Sequence, residues 1–364
     1  MNNSALISTV FRKEVLAIAA YKVANAQGFI KLDAMENPYT WPEEIQNQWL
    51  IHLKDCQLNR YPDPEAVQLV NTIRAVNQLP EQFDILLGNG SDEIIQLLLM
   101  ALPQGASVLA PAPGFVMYKQ ISDCLGLNYI GVPVLADGFD LDLPAMLAAI
   151  AKAQPLLIFL AYPNNPTSNL FSADAMHQII KAAPGLVVVD EAYAPFANAG
   201  FIDQLAQYDN LLIMRTVSKV GLAGLRLGYV MGLPAIIEQL NKIRLPYNIN
   251  CLTQMTADFA LVNRAFYTEQ TEIICEQRAY VFNELLRMEG IVPYPSAANF
   301  ILFKVLQNKA TDIFLSIKHQ GVLIKNMTGQ GGLLTDCLRV TIGKPDENKA
   351  FLSALRHSLA ELNL

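Results

Sequence analysis

Histidine is scarce in this chain, and its cysteines do not pair. The four histidines (His52, His177, His319, His357) are scattered, and none stands beside a candidate nucleophile or a second metal ligand in sequence. They read as ordinary surface or helix residues, and nothing local suggests a histidine-based triad. Five cysteines is an odd number. None forms a CxxC pair, and the nearest two, Cys251 and Cys275, are 24 residues apart. This argues against a disulfide framework or a zinc site and fits a reducing compartment. No apolar run reaches the roughly 18 residues that suggest a membrane-spanning helix. The first ten residues lack a basic region leading into an apolar stretch, so no signal peptide is expected. Charge is sparse too: 16% of residues carry one, with a net charge of −7. There is no general electrostatic reason to bind nucleic acid, whose affinity comes largely from basic groups neutralising phosphates. The expectation is a cytoplasmic protein with neither nucleic acid nor membrane as partner.

What is present is a large apolar fraction, 52% of 364 residues, enough for a sizeable core and too much for intrinsic disorder. The length suits one large or two medium domains. Short aliphatic runs at 85–87, 107–110, 156–161, 186–189 and 211–214 alternate with amphipathic stretches such as 92–102 and 173–183. Alternation of this kind predicts an α/β fold with a mostly parallel sheet covered on both faces. After about residue 250 the pattern changes. A long helix-rich stretch, 253–290, leads into strands at 300–305 and 337–342 around a helix at 311–320, which predicts a smaller α+β domain. The expected division is an N-terminal arm (1–40, with a helix over 8–24), a large domain (41–250) and a small C-terminal domain (251–364), with the site in the cleft between the domains.

Six motifs carry chemistry. Thr216-Val217-Ser218-Lys219 follows a strand, and Gly221-Leu222-Ala223-Gly224-Leu225-Arg226 comes next. Hydroxyls, a lysine and an arginine in a glycine-containing loop can hold a phosphate and set an amine beside it, and such a lysine can condense with an aldehyde cofactor. An exposed polar loop is the bland alternative. Asp190, in Val189-Asp190-Glu191-Ala192-Tyr193, ends another apolar strand, where a carboxylate is costly to bury unless a cation or several donors meet it. A helix N-cap is the competing reading. Asp190 and Lys219 lie 29 residues apart, about one βαβ spacing. Tyr162-Pro163-Asn164-Asn165-Pro166-Thr167 is a stiff loop that can aim the Asn165 amide, or a plain turn. Gly88-Asn89-Gly90-Ser91-Asp92-Glu93 opens a helix, whose N–H groups make a phosphate seat. The acidic residues there would oppose a phosphate unless Arg226 offset them. In Ala112-Pro113-Gly114-Phe115-Val116-Met117-Tyr118, either Phe115 or Tyr118 could stack on a flat ring, or both could simply pack. In Cys337-Leu338-Arg339-Val340-Thr341, alternation sets Arg339 apart from its apolar neighbours, where it can grip a carboxylate or phosphate or form a surface ion pair.

In this order the motifs resemble the fold-type I pyridoxal-phosphate aminotransferases over nearly the whole chain. The closer resemblance is to the histidinol-phosphate aminotransferases, through Leu32-Asp33-Ala34-Met35-Glu36-Asn37-Pro38-Tyr39, Asn59-Arg60-Tyr61-Pro62-Asp63-Pro64 and Leu222-Ala223-Gly224-Leu225-Arg226-Leu227-Gly228. The resemblance implies that Lys219 carries pyridoxal 5'-phosphate and moves the proton, and that Asp190 pairs with the ring nitrogen. It gives Asn165 and Tyr193 the ring oxygen, and Phe115 the ring face. The phosphate falls to Ser218, Arg226, Thr216 and the backbone of Ser91 and Asp92. It further implies a homodimer, with Tyr61 reaching the other subunit's site and the arm packing on the small domain and the partner.

For substrate, the resemblance implies Arg339 and Lys325 on a phosphate and Asn37 and Tyr39 nearby. Lys325 stands where relatives often have arginine, keeping the charge without the forked geometry. The interval from Lys219 to Arg226, seven residues, is one shorter than in many relatives. The implied reaction moves the amino group of L-histidinol phosphate to 2-oxoglutarate, giving imidazole-acetol phosphate and glutamate in histidine biosynthesis. An aromatic amino-acid aminotransferase, a threonine-phosphate decarboxylase and a non-catalytic binding module on the same fold are the alternatives.

Overall fold

The computed structural model describes residues 3–20 and 23–362. A seven-stranded sheet forms its centre. In spatial order the strands are Asp84–Gly88, Gly228–Gly232, Leu211–Thr216, Leu186–Asp190, Leu157–Ala161, Ser107–Ala112 and Asn128–Pro133. Five of them run parallel in sequence, while Gly228–Gly232 is antiparallel to both its neighbours. The strands Leu157–Ala161 and Gly228–Gly232 are buried at every position, which requires helices on both faces. Two apolar clusters meet that need. One contains Leu109, Ile158 and Ile213, the other Val108, Phe159 and Leu212, so neighbouring residues of one strand feed opposite faces.

The strand Gly228–Gly232 escapes the sequence reading because Gly-Tyr-Val-Met-Gly is short and ends in glycine. Its first glycine has a specific cause: a Cβ there would lie 2.5 Å from the Ser91 backbone nitrogen. Glycine lets the start of the helix Ser91–Met100 rest against the sheet, which places that helix end at the site.

The C-terminal part is a four-stranded antiparallel sheet, ordered Lys325–Asn326, Cys337–Thr341, Phe300–Val305, Ile291–Pro293, with helices Ala265–Leu286, Ala310–His319 and Pro345–Glu361. A separate core of Phe300, Phe303, Leu338, Phe351 and Leu355 holds it. The helix-rich stretch expected over 253–290 is two helices, Cys251–Val262 and Ala265–Leu286.

The predicted helix over 8–24 is a correction. Among the described residues it is two short helices, Asn3–Val10 and Lys13–Ala17, and Ile18 is already extended; residues 21–22 lie outside the described residues. The break falls at Arg12, whose backbone is extended and whose guanidinium donates to the Cys124 carbonyl at 2.6 Å. A tertiary contact has overridden local helix preference there. Further along, Ile30–Lys31 pairs in parallel with Val322–Leu323 in a separate two-stranded sheet, which ties this segment to the C-terminal part.

Beside Asp190 lies a buried ion pair. Glu191, with no side-chain exposure, accepts from Arg215 Nε at 2.7 Å and Nη2 at 2.6 Å and from the Phe201 N–H. Arg215 also donates to Asn77 Oδ1 at 2.5 Å. Removing one partner strands the other charge. Glu191→Gln is expected to cost about 2–4 kcal/mol in denaturant unfolding, the low side for a buried pair because Arg215 keeps Asn77 and some solvent.

Candidate active site

The strand ends converge on a cavity of about 100 Å³. Parallel strands bring their carboxyl ends to one edge, so residues distant in sequence meet where each strand stops. Asp190 is the last residue of its strand and Thr216 of the next; Ser218 and Lys219 follow at once. Asn165 comes from the loop after Leu157–Ala161, Ser91 and Asp92 open their helix, and Phe115 caps the helix Val116–Leu125. All of these line the cavity, with Tyr193, Arg226, Met35, Pro163, Ala161 and Ala192.

Lys219 and Asp190 carry the perturbed electrostatics. Burial lowers the Lys219 amine to about 8, helped by the positive charge of Arg339. The amine lies 5.7 Å from the centre of the Tyr193 ring. Burial pushes Asp190 up to about 6. Two hydrogen bonds pull the other way: the Tyr118 hydroxyl donates to Oδ2 at 2.5 Å and the Ala192 N–H to Oδ1 at 3.1 Å. An amine and a carboxylate with values drawn toward neutrality in one cavity mark a site of proton chemistry.

A relay joins the two larger sheets. Arg339 Nη1 donates to Asn165 Oδ1 at 2.7 Å, and Asn165 Nδ2 donates to the Tyr193 hydroxyl at 3.2 Å. Arg339 Nη2 donates to the Asp33 carbonyl at 3.1 Å, while its guanidinium lies 5.3 Å from the Phe300 ring centre. Burial raises the Tyr193 phenol, so it stays a neutral hydroxyl.

On the opposite wall, Arg226 Nη2 meets Asp92 Oδ2 at 3.2 Å. The offset of acid by arginine anticipated from sequence is thus present for Asp92. Glu93 turns away, accepting from the Asn89 N–H at 2.5 Å and Asn248 Nδ2 at 2.8 Å. Gly90 has φ +86°, and a Cβ there would lie 2.7 Å from Arg226 Nη2, so glycine lets the arginine lie over the helix start. The Thr216 hydroxyl accepts from the Ser218 N–H at 3.1 Å and lies 2.9 Å from Ser218 Oγ.

Besides Arg339, four residues assigned to the site from sequence lie outside this lining. The Asn37 amide donates to Val220 O at 3.1 Å and Gln270 Oε1 at 2.9 Å, and its oxygen accepts from the Tyr39 N–H at 2.9 Å. Tyr39 has the Lys344 amine 5.8 Å over its ring. Lys325 faces Arg339 directly in the antiparallel register. Tyr61 is 81% exposed and stacks on Tyr247 at 4.5 Å. Two roles were not foreseen. Met35, at φ +54°, reaches the lining from inside the Leu32–Tyr39 motif, where its position was the only signal. Tyr118, one of two stacking candidates, instead bonds Asp190, and Phe115 alone of the pair lines the cavity.

The sequence matches the class I and II aminotransferase family over residues 27–355. The chain belongs to that family. Among relatives of this aminotransferase, histidinol-phosphate aminotransferase 2 of Nitrosococcus oceani is 56% identical over 346 residues, covering 95% of this chain and 96% of the relative. Histidinol-phosphate aminotransferase of Chromobacterium violaceum is 48% identical over 351 residues, covering 96% and 98%. The crystal structure of histidinol-phosphate aminotransferase from Sinorhizobium meliloti in complex with pyridoxal-5'-phosphate aligns with a TM-score of 0.86 at 23% identity, covering 97% of this chain and 98% of that one. The fold-type I architecture expected from the motifs is the one the aminotransferase adopts.

Proposed function

We propose that this aminotransferase uses pyridoxal 5'-phosphate to move the amino group of L-histidinol phosphate to 2-oxoglutarate, giving imidazole-acetol phosphate and glutamate in histidine biosynthesis. The observation that carries the reading is the meeting of Lys219 and Asp190 in one cavity, opposite a helix N-terminus and Arg226. The donor set fits the cofactor: an amine of lowered pKa, a buried carboxylate, an amide and a phenol, and a cationic seat for a phosphate. The 56% identity to a named histidinol-phosphate aminotransferase supports the choice of substrate.

When bound, the cofactor supplies an aldehyde for the amine and a ring that spreads the electron pair left at Cα. Lys219 would accept and hold the proton leaving Cα, a role suited to an amine drawn close to neutral pH. Asp190, as an anion, holds a proton on the ring nitrogen. Asn165 and Tyr193 would orient the ring oxygen, and Phe115 would cover a ring face. Ser218, Thr216, Arg226 and the N–H groups of Ser91 and Asp92 hold the phosphate. Arg339, joined to Asn165, would grip the acidic end of the substrate, with Lys325 beside it in register and Asn37 and Tyr39 near the substrate as well.

The reading includes a cytoplasmic homodimer in which Tyr61 reaches the partner's site. In support, Tyr61 is exposed and stacks on Tyr247, and Leu58 and Leu245, close to them in sequence, are exposed too. It also divides the chain into an arm (1–40), a cofactor domain (41–250) and a small domain (251–364).

Three donors tested side by side with 2-oxoglutarate decide the substrate. Histidinol phosphate is expected to react fastest. Faster turnover of aromatic amino acids would make this an aromatic aminotransferase, and carbon dioxide release from threonine phosphate would make it a decarboxylase. Lys325→Ala is expected to raise KM for histidinol phosphate by about 10-fold with a smaller change in kcat, as loss of one charge-assisted contact predicts. KM for glutamate in the reverse direction should change less, which steady-state kinetics checks.

A further inference from the structure

One buried titratable group has no part in the chemistry above. Tyr118 is 1% exposed, its ring stacked on Phe159 at 4.3 Å and 4° and set edge-on to Phe115 at 5.5 Å. The Ser122 hydroxyl donates to its carbonyl at 2.7 Å, so ring and backbone are both held. Phenylalanine would fill the same volume. What the hydroxyl adds is the 2.5 Å bond to Asp190 Oδ2.

That bond matters because Asp190 is badly placed to be an anion. It is buried, and its two hydrogen-bond donors, Tyr118 O–H and Ala192 N–H, are both neutral. Asp92 at the helix start and Glu191 next in the chain both oppose its ionisation. Lys219 and Arg226 complete the charged groups of the cavity wall, and Arg226 is already paired with Asp92. Tyr193 is a phenol held neutral by burial. Burial also drives the Tyr118 phenol well above its ordinary value, so it remains a donor at every working pH.

We propose that Tyr118 is a positioning residue: its hydroxyl keeps the Asp190 carboxylate ionised and fixes its plane, so that the other oxygen can meet a protonated ring nitrogen. Tyr118 does not touch the cofactor; it acts through Asp190. The role rests on the reading of Asp190 proposed above, and its first test is independent of that reading.

In the full-length protein without cofactor, the carboxyl stretch of Asp190 is followed by infrared difference against Asp190→Asn as pH is varied. Tyr118→Phe is expected to move the midpoint up by about one pH unit, because a hydrogen bond to the charged form is lost. 3-Fluorotyrosine at 118, a stronger donor in nearly the same volume, is expected to move it down. That substitution keeps the test alive if the phenylalanine variant folds poorly. In the second test, Tyr118→Phe is expected to weaken pyridoxal phosphate binding about 10-fold with Asp190 present and less than about 2-fold in an Asp190→Asn background. An unmoved midpoint, or equal losses in both backgrounds, would reduce Tyr118 to packing and overturn the proposal. If the midpoint moves but the protein binds no pyridoxal phosphate, the hydrogen-bond coupling stands and the cofactor reading fails.

Discussion

Replacing Lys219 with alanine is expected to lower kcat by at least about 10⁴-fold while leaving the protein folded. General acid–base groups typically contribute about 10²–10⁴-fold, and here the same side chain is also the cofactor's point of attachment, so the upper end is the floor. The fold should survive because the amine is a strained tenant. Burial and Arg339 lower its affinity for a proton below that of a free lysine. The unfolded chain therefore holds this proton more tightly, and in the cofactor-free protein the resulting cost is present below pH 8 and relieved as pH rises toward 10.5. Alanine removes that cost. Single-turnover kinetics with an equal or higher thermal midpoint is the expected pair of results. A small primary amine added to the variant should restore part of the proton transfer; no rescue at any amine concentration would argue for a different base.

The second large effect is at Asp190. Asp190→Asn keeps size and shape but removes the charge that holds a proton on the ring nitrogen. A loss of about 10²–10³-fold in kcat is expected, the range found when one preorganised electrostatic partner is removed. The same change should stabilise the cofactor-free protein. Burial raises Asp190 to about 6, so its contribution to stability is full below about 4 and is lost as pH rises through 6. At pH 8 the wild-type protein carries an ionised, buried acid whose cost the asparagine variant avoids, by about 1–3 kcal/mol. Denaturant unfolding at pH 8 and at pH 4 separates the two: the difference between the proteins should shrink at the lower pH. A variant that is slower and also less stable at pH 8 would show that Asp190 serves the fold and not the chemistry.

Much of the seven-stranded sheet was legible because its strands are continuous aliphatic runs that stop at polar clusters, as at Asp190 and Thr216. Their order in a parallel sheet forces those ends together, so Lys219, Asp190 and Asn165 could be grouped before their distances were known. What escaped was whatever depended on long-range contact. The strand Gly228–Gly232 has little local signal, and its leading glycine answers to a helix end more than 130 residues earlier in the chain. The break at Arg12 answers to a carbonyl at Cys124. Tyr118 could not be told from Phe115 by spacing alone, since stacking on Phe159 and bonding to Asp190 are both tertiary facts. Asn37 was placed near the substrate only through the resemblance, and nothing local in the sequence announces that its amide donates to Val220 and Gln270.

The most direct test of the central claim is covalent. The purified protein is mixed with pyridoxal 5'-phosphate, reduced with borohydride and digested, and the modified peptide is identified by mass spectrometry. The account predicts one modified residue, Lys219, and a visible absorption band that disappears in Lys219→Ala. Modification of a different lysine, or a band that survives in that variant, would contradict it.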